Sequence, residues 1–215
     1  MTSVGGRGKT RWGDREQRRK DILAAARAEL EQHGYVGFRM RDLAKGAGVS
    51  PGALYSYFAT KEDIFAALYA ERLGKLQAEV AVMCAEADDL HDLLVALGKA
   101  YLPVYAEYGE HFDLWALTQS AQDGEQIPER ALPLVETAGQ TLAAVGAAVR
   151  RLGALDAFEE ADQGYVMPFL WITVTGLAGH FTGSRHLMHP YTFDELAGFA
   201  ADVMVAALRS GRVPR

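Results

Sequence analysis

The sequence predicts an all-α protein of about nine helices, three short ones at the N-terminus followed by a larger helical body. Three observations predict it. Apolar residues recur at helical spacing, as in Ile22, Leu23, Ala26 and Leu30, and no strand-like alternation of useful length occurs. Helix-start signals stand ahead of the predicted segments, among them Ser50-Pro51 and Thr60 with Asp63. Charge divides the chain: Met1 to Lys61 holds twelve Lys and Arg against six Asp and Glu, a net of +6, so the totals of 22 and 28 leave ten and 22 beyond it, a net of −12. With 215 residues, 49% hydrophobic, the chain has material for one or two cores and is neither disordered nor collagen-like.

The elements follow in order. Residues 1–13 read as a flexible basic arm carrying Arg7, Lys9 and Arg11. Asp14 with Gln17 makes a box-like start for a first helix over 14–33, and Gly34 offers its stop. Met40 to Lys45 is a short second helix with Leu43 and Ala44 facing inward, and "KGAGVS" supplies a turn. Ser50 caps a third helix, Pro51 fits its first position, and it runs to about Tyr57. Thr60 and Asp63 open a long fourth helix from Lys61 towards Glu86. Further helices are expected near 88–107, 109–121, 128–152, 157–183 and 193–209. The chain thus divides into the arm, a unit at 14–60 and a body at 61–215.

Three short helices with a tight glycine-containing turn between the second and third are what a helix-turn-helix requires. At about 100° per residue, Leu54 and Phe58 share the face that packs on the first helix, whereas Gly52, Ala53 and Ser56 lie opposite. Small outward residues let the third helix sit close to base edges in a major groove, with the Ala53 methyl available to thymine and the Ser56 hydroxyl able to donate or accept. Tyr55 and Tyr57 flank this strip and reach phosphates. The face offers no Arg, Asn or Gln for a bidentate base contact, so specificity is expected to rest partly on DNA shape and partly on Arg39 and Arg41, with Lys45 on the backbone.

The stretch "GYVGFRMRDLAKGAGVSPGALYSYFATKEDIF", Gly34 to Phe65, resembles the DNA-binding domain of TetR-family transcriptional regulators. The shared features are the glycine-aromatic close of the first helix, "RDLA" followed by "AGVS", "LYSYF", and "KED" at the start of the fourth helix. They cover about the first third of the chain. The resemblance implies a homodimer in which each subunit reads half of a near-palindromic operator, while a ligand in the body changes the spacing of the two heads. It implies DNA contacts from the segment holding Ser50, Pro51, Gly52, Ala53, Tyr55, Ser56, Tyr57 and Lys61, with Gly52, Ala53 and Ser56 facing bases and Tyr55, Tyr57 and Lys61 on the backbone. Two positions depart from the pattern. Position 39, commonly a capping Ser or Thr, is Arg; position 51, often Lys or polar, is Pro.

In the body, Tyr101, Tyr105, Tyr108, Phe112, Trp115, Phe169 and Trp171 concentrate aromatic surface, and Pro103 and Pro168 are placed to kink their helices, which suggests a pocket for a small hydrophobic effector. Gly176, Gly179 and Gly183, with Phe193, Leu196, Phe199 and Val203, suggest a four-helix dimer interface. Gln163 to Ser184 lacks Asp, Glu, Lys and Arg and is long enough to span a bilayer, but its polar residues and the lack of a preceding basic anchor favour burial in a soluble protein. His180, His186 and His189 match no standard metal motif even with His111, Glu107 and Glu110, so no metal or cofactor is expected. Cys84, the single cysteine, has no cationic neighbour in "EVAVMCAEA", and the N-terminus lacks the apolar run of a signal peptide, so the expected setting is a reducing cytoplasm. No glycine-rich phosphate loop, G-x-S-x-G, or assembled nucleophile and base speaks for an enzyme. Two readings remain: a ligand-responsive DNA-binding repressor, or a small-molecule-binding or catalytic helical protein whose basic module binds another polyanion.

Overall fold

The structure, a computed structural model, describes residues 11–109, 132–156 and 160–210. Among these, eight α-helices and no strand occur. Apart from Gly109, the helix predicted at 109–121, and Phe112, Trp115, Glu110 and His111 with it, lie outside the described residues.

The first helix, α1, spans Arg11–Gly37, three residues earlier than the sequence suggested. Asp14 therefore lies inside it instead of capping it, and Gln17 donates to Asp21 Oδ1 at 2.9 Å. Its regular course ends at Gly34, whose φ of 64° is open to glycine at little steric cost, as expected of a helix stop. Helix α2 is Met40–Gly46 and α3 is Pro51–Tyr55. Gly48, with φ 63°, makes the turn between them. Ser50 caps α3, its hydroxyl accepting from the Ala53 N–H at 3.1 Å. Helix α1 packs on α2 and α2 on α3. Ile22, Leu23, Ala26, Leu43, Ala44, Leu54 and Phe58 are buried and form the core of this unit.

Helix α4 spans Lys61–Glu86 and opens with the predicted reciprocal box: Asp63 Oδ2 accepts from the Thr60 N–H at 3.0 Å and Thr60 Oγ1 from the Asp63 N–H at 3.2 Å. The described residues divide into two compact units between Tyr69 and Ala70, and α4 supplies residues to both.

The second unit contains α5 at Leu90–Val104, α6 at Leu132–Arg151, α7 at Glu160–Thr182 and α8 at Phe193–Ser210. Asp89 caps α5 by accepting from the Asp92 N–H at 3.0 Å. Two residues after Pro103, α5 passes into a single π-turn, Tyr105–Gly109. Thr192 and Glu195 form a capping box at α8 that sequence reading passed over, although its T-x-x-E signal is present; the Thr192 N–H and hydroxyl, which donate to the Glu195 carboxylate at 2.7 and 2.8 Å, hold that carboxyl below its usual range. Helix α5 packs on α7 and α8, and α7 on α8. Lys99 pairs with Asp194 at 3.1 Å across the α5–α8 contact.

Cys84 does have a cationic neighbour, contrary to the local reading: Arg151, 67 residues on, donates to the Cys84 and Ala87 carbonyls at 2.7 and 2.8 Å. It satisfies carbonyls left unpaired at the end of α4. Burial outweighs that charge, and the Cys84 thiol is pushed up. One described helix, α6, is long and apolar enough to cross a membrane by length and composition, and its inner side supplies buried Val145, Ala148 and Val149 to the core.

Candidate nucleic-acid interface and effector cavity

The α2–α3 surface follows from its local sequence. Leu54 points inward with no exposure, which turns Pro51, Gly52, Tyr55 and Ser56 to the outside; Tyr55 is 54% exposed. No atom lies within 4 Å of where a Gly52 Cβ would stand, so the backbone there is open to close approach. Ala53 is half-buried. The Ser56 hydroxyl donates to the Ala53 carbonyl at 2.7 Å, which commits the proton that sequence reading left free and leaves its oxygen as an acceptor. Arg39, Arg41 and Lys45 are exposed around α2, and Arg39 makes no side-chain cap, as the substitution of Ser or Thr implied.

Three cations rest on aromatic faces here. The Arg15 guanidinium lies 5.7 Å from the centre of the half-buried Tyr57 ring, Arg19 lies 5.3 Å from Phe58, and the Lys61 ammonium lies 4.4 Å from Tyr35. Arg15 and Arg19 were not among the residues expected at this surface; their i, i+4 spacing on α1 is visible in the sequence, but the aromatic partners some 40 residues away are not. Tyr35 donates to Glu62 Oε1 at 3.3 Å, and burial together with that carboxylate pushes its hydroxyl up to about 12, so it keeps its proton.

In the second unit an apolar cavity, open at its mouth, lies among α4, α5, α6 and α7. Of the aromatic residues expected there, Tyr101 and Trp171 line it, with ring centres 5.5 Å apart. Tyr105 stands 6.0 Å from Tyr101 with its hydroxyl against Gly179 and is not part of the wall. Tyr108 is 1% exposed and belongs to the core. Phe169 is 55% exposed on the outer side of α7, since a helix that sends Leu170 and Trp171 inward turns position 169 away. Apart from Thr141, whose hydroxyl donates to the Thr137 carbonyl at 2.8 Å, the rest of the wall is apolar, including Leu76 and Val80 of α4, Leu97 of α5, Val145 of α6 and Met167 of α7, residues whose pattern does not distinguish wall from core. Among the described residues no charged or polar side chain is fully buried, so nothing ionic faces this space from a dry position.

A second apolar surface lies on α7 and α8. Tyr165, Phe169, Ile172 and Gly176 follow one face of α7 and are exposed, and Phe199 and Val203, 65% and 49% exposed, do the same on α8. Other residues expected in this stripe are engaged within the chain. Phe193 packs edge-on to Phe181 at 5.4 Å and against Gly98, Leu196 is half-buried, and an added Gly179 Cβ would stand 3.1 Å from the Tyr105 hydroxyl. Gly183, just past the end of α7, is half-buried beside the Gly179 carbonyl.

The histidines brace the α7–α8 connection. His180 Nε2 and His189 Nε2 lie 2.8 Å apart, His189 Nδ1 accepts from the Tyr191 N–H, and His186 Nδ1 meets the Gly183 carbonyl at 2.7 Å. Glu107 pairs with Arg72 at 3.8 Å. Among the described residues the one triplet of potential metal ligands is Asp89, His91 and Asp92, of which Asp89 is occupied capping α5 and His91 lies between Asp92 and Asp202.

The family model of bacterial regulatory proteins, tetR family, matches residues 22–68, which run from the core of α1 through α3 into α4. Residues 22–68 form a tetR-family DNA-binding domain. The HTH-type transcriptional repressor AcnR of Corynebacterium diphtheriae is 36% identical over 77 residues, 36% of this chain and 40% of that repressor, so the match spans well under half the length of this relative. The TetR fold extends further. A TetR transcription regulator from Haloarcula marismortui superposes with a TM-score of 0.59 at 20% identity, covering 89% of this chain and 98% of that one. The transcriptional regulator FadR of Bacillus subtilis, solved with stearoyl-CoA, superposes with a TM-score of 0.56 at 22% identity, covering 90% and 99%.

Proposed function

We propose that this chain is a cytoplasmic transcriptional repressor that binds a near-palindromic DNA operator as a homodimer and is released by a small hydrophobic effector. The observation that carries the reading is the capped α3 helix, which turns Gly52, Tyr55 and Ser56 outward beside exposed Arg39, Arg41 and Lys45 in a segment matching the family's DNA-binding domain. Gly52, Ala53 and Ser56 approach base edges at a helix start stiffened by Pro51, Arg39 and Arg41 add to specificity, and Lys45, Tyr55, Tyr57 and Lys61 hold phosphates and fix register. The dimer forms through the exposed stripes of α7 and α8, and two heads then read major grooves about 34 Å apart.

The effector occupies the cavity between α4 and α7. Its mostly aliphatic wall, with Tyr101 and Trp171, suits a hydrocarbon chain or ring and leaves any charged group at the mouth. To move the dimer from mostly bound to mostly free, the effector must favour the released form by roughly 5 kcal/mol. The test is fluorescence anisotropy with duplex DNA from the protein's own upstream region against a scrambled duplex at two salt concentrations. Selective binding that persists at the higher salt, and that is lost on adding a long-chain acyl ligand such as stearoyl-CoA, is the expected result. Equal binding to both duplexes, vanishing with salt, favours a helical ligand-binding protein whose basic module holds other polyanions. Selective binding unmoved by apolar ligands retains the regulator and removes this effector class.

A further inference from the structure

We propose that Tyr35 is a positioning residue for DNA binding, its ring holding the Lys61 ammonium in place for a backbone phosphate. The inference rests on the reading above that Lys61 contacts DNA. Lys61 is the first residue of α4, and among the described residues no carboxylate stands within ion-pair distance of it. Its ammonium instead lies 4.4 Å from the Tyr35 ring centre, within the range of cation–π attraction. The ring is held from both sides. Phe65 meets it edge to face at 4.9 Å, and its hydroxyl donates to Glu62 Oε1 at 3.3 Å. The Gly34 break, with φ 64°, redirects the chain immediately before Tyr35. A lysine paired with a carboxylate would have to give up that partner to meet a phosphate, whereas one resting on an aromatic face keeps its charge and its three donors available.

The test uses the full chain, the upstream duplex and a scrambled duplex, with variants Y35L, Y35F, K61Q and the Y35L/K61Q double. Removing the ring in Y35L is expected to weaken binding about three- to tenfold and Y35F by less than about twofold, because phenylalanine keeps the aromatic face. The slope of log K against log salt is expected to fall in magnitude by about 0.9 for each phosphate that the protein no longer neutralises. The double variant is expected to bind no more weakly than K61Q alone, because without the ammonium the ring has nothing to place. Losses that multiply in the double variant, or an unchanged salt slope in Y35L, overturn the inference while leaving the DNA-binding reading standing. A wild-type chain that binds neither duplex even at low salt overturns both. An independent measurement needs no variant: NMR of the free protein is expected to show the Lys61 Cε protons shifted upfield by the Tyr35 ring current, and ordinary shifts there overturn the geometry.

Discussion

Replacing Phe199 with Ala tests the proposed dimer most directly. Phe199 is 65% exposed in the single chain, on the same face of α8 as Val203. A Phe presents about 200 Å² to be buried, so covering the exposed part removes roughly 130 Å² from water. At about 25 cal/mol/Å² that is about 3 kcal/mol, of which Ala retains about a third, leaving a loss of about 2 kcal/mol per copy. A two-fold interface contains the residue twice, so the loss is about 4 kcal/mol and the dimer dissociation constant rises about a thousandfold. Sedimentation velocity over a dilution series reads this as dissociation of F199A where the wild type remains dimeric, with circular dichroism showing the helical fold retained. A dissociation constant within about threefold of wild type refutes the assignment of the α8 stripe, and a monomeric wild type refutes the dimer itself.

Legibility differed between the two units for a physical reason. In the first, function and fold are written in local signals: Ser50 and Pro51 start α3, Gly34 stops α1, and the Thr60–Asp63 box forms as its spacing demands. Such signals are short-range hydrogen bonds and backbone preferences, which a sequence displays directly. What escaped was long-range: the aromatic seats of Arg15, Arg19 and Lys61, and the reach of Arg151 to the end of α4, depend on how helices lie together. In the second unit aromatic residues pointed to a pocket, yet Tyr108 went to the core and Phe169 to the outer face, while aliphatic residues made most of the wall. A helix periodicity reports that a face is apolar. It does not report whether that face meets a neighbouring helix, an open cavity or another chain.

Ser50→Ala removes the hydroxyl that accepts from the Ala53 N–H at the start of a five-residue helix, and is expected to cost about 1 kcal/mol in urea unfolding and to weaken DNA binding in parallel; unchanged stability sinks the capping argument. Arg151→Met removes both hydrogen bonds to the Cys84 and Ala87 carbonyls, and is expected to cost about 2 kcal/mol, read as a lower urea midpoint, whereas a midpoint equal to wild type means water replaces the guanidinium without loss. Two histidines are expected to depart from the ordinary value of 6.5 in opposite directions, which NMR titration of their ring protons measures. His91 is raised, first by its hydrogen bond to Asp92, against a smaller opposing effect of desolvation, and further by the charges of Asp202, Asp92 and Asp89. His180 is lowered, first by desolvation and then by His189, Arg185 and His186. A raised value means that the folded state holds the His91 proton more tightly than the unfolded chain does, so the stability it confers is fully present below pH 6.5 and is lost as pH rises through the folded value. For His180 the sign reverses: its contribution is present above 6.5 and is lost as pH falls through its lowered folded value. The stability difference between wild type and His91→Gln is therefore expected to grow on going from pH 8 to about pH 6; a difference that shrinks over that interval would show that the carboxylates of Asp92 and Asp202 do not hold the His91 proton in solution.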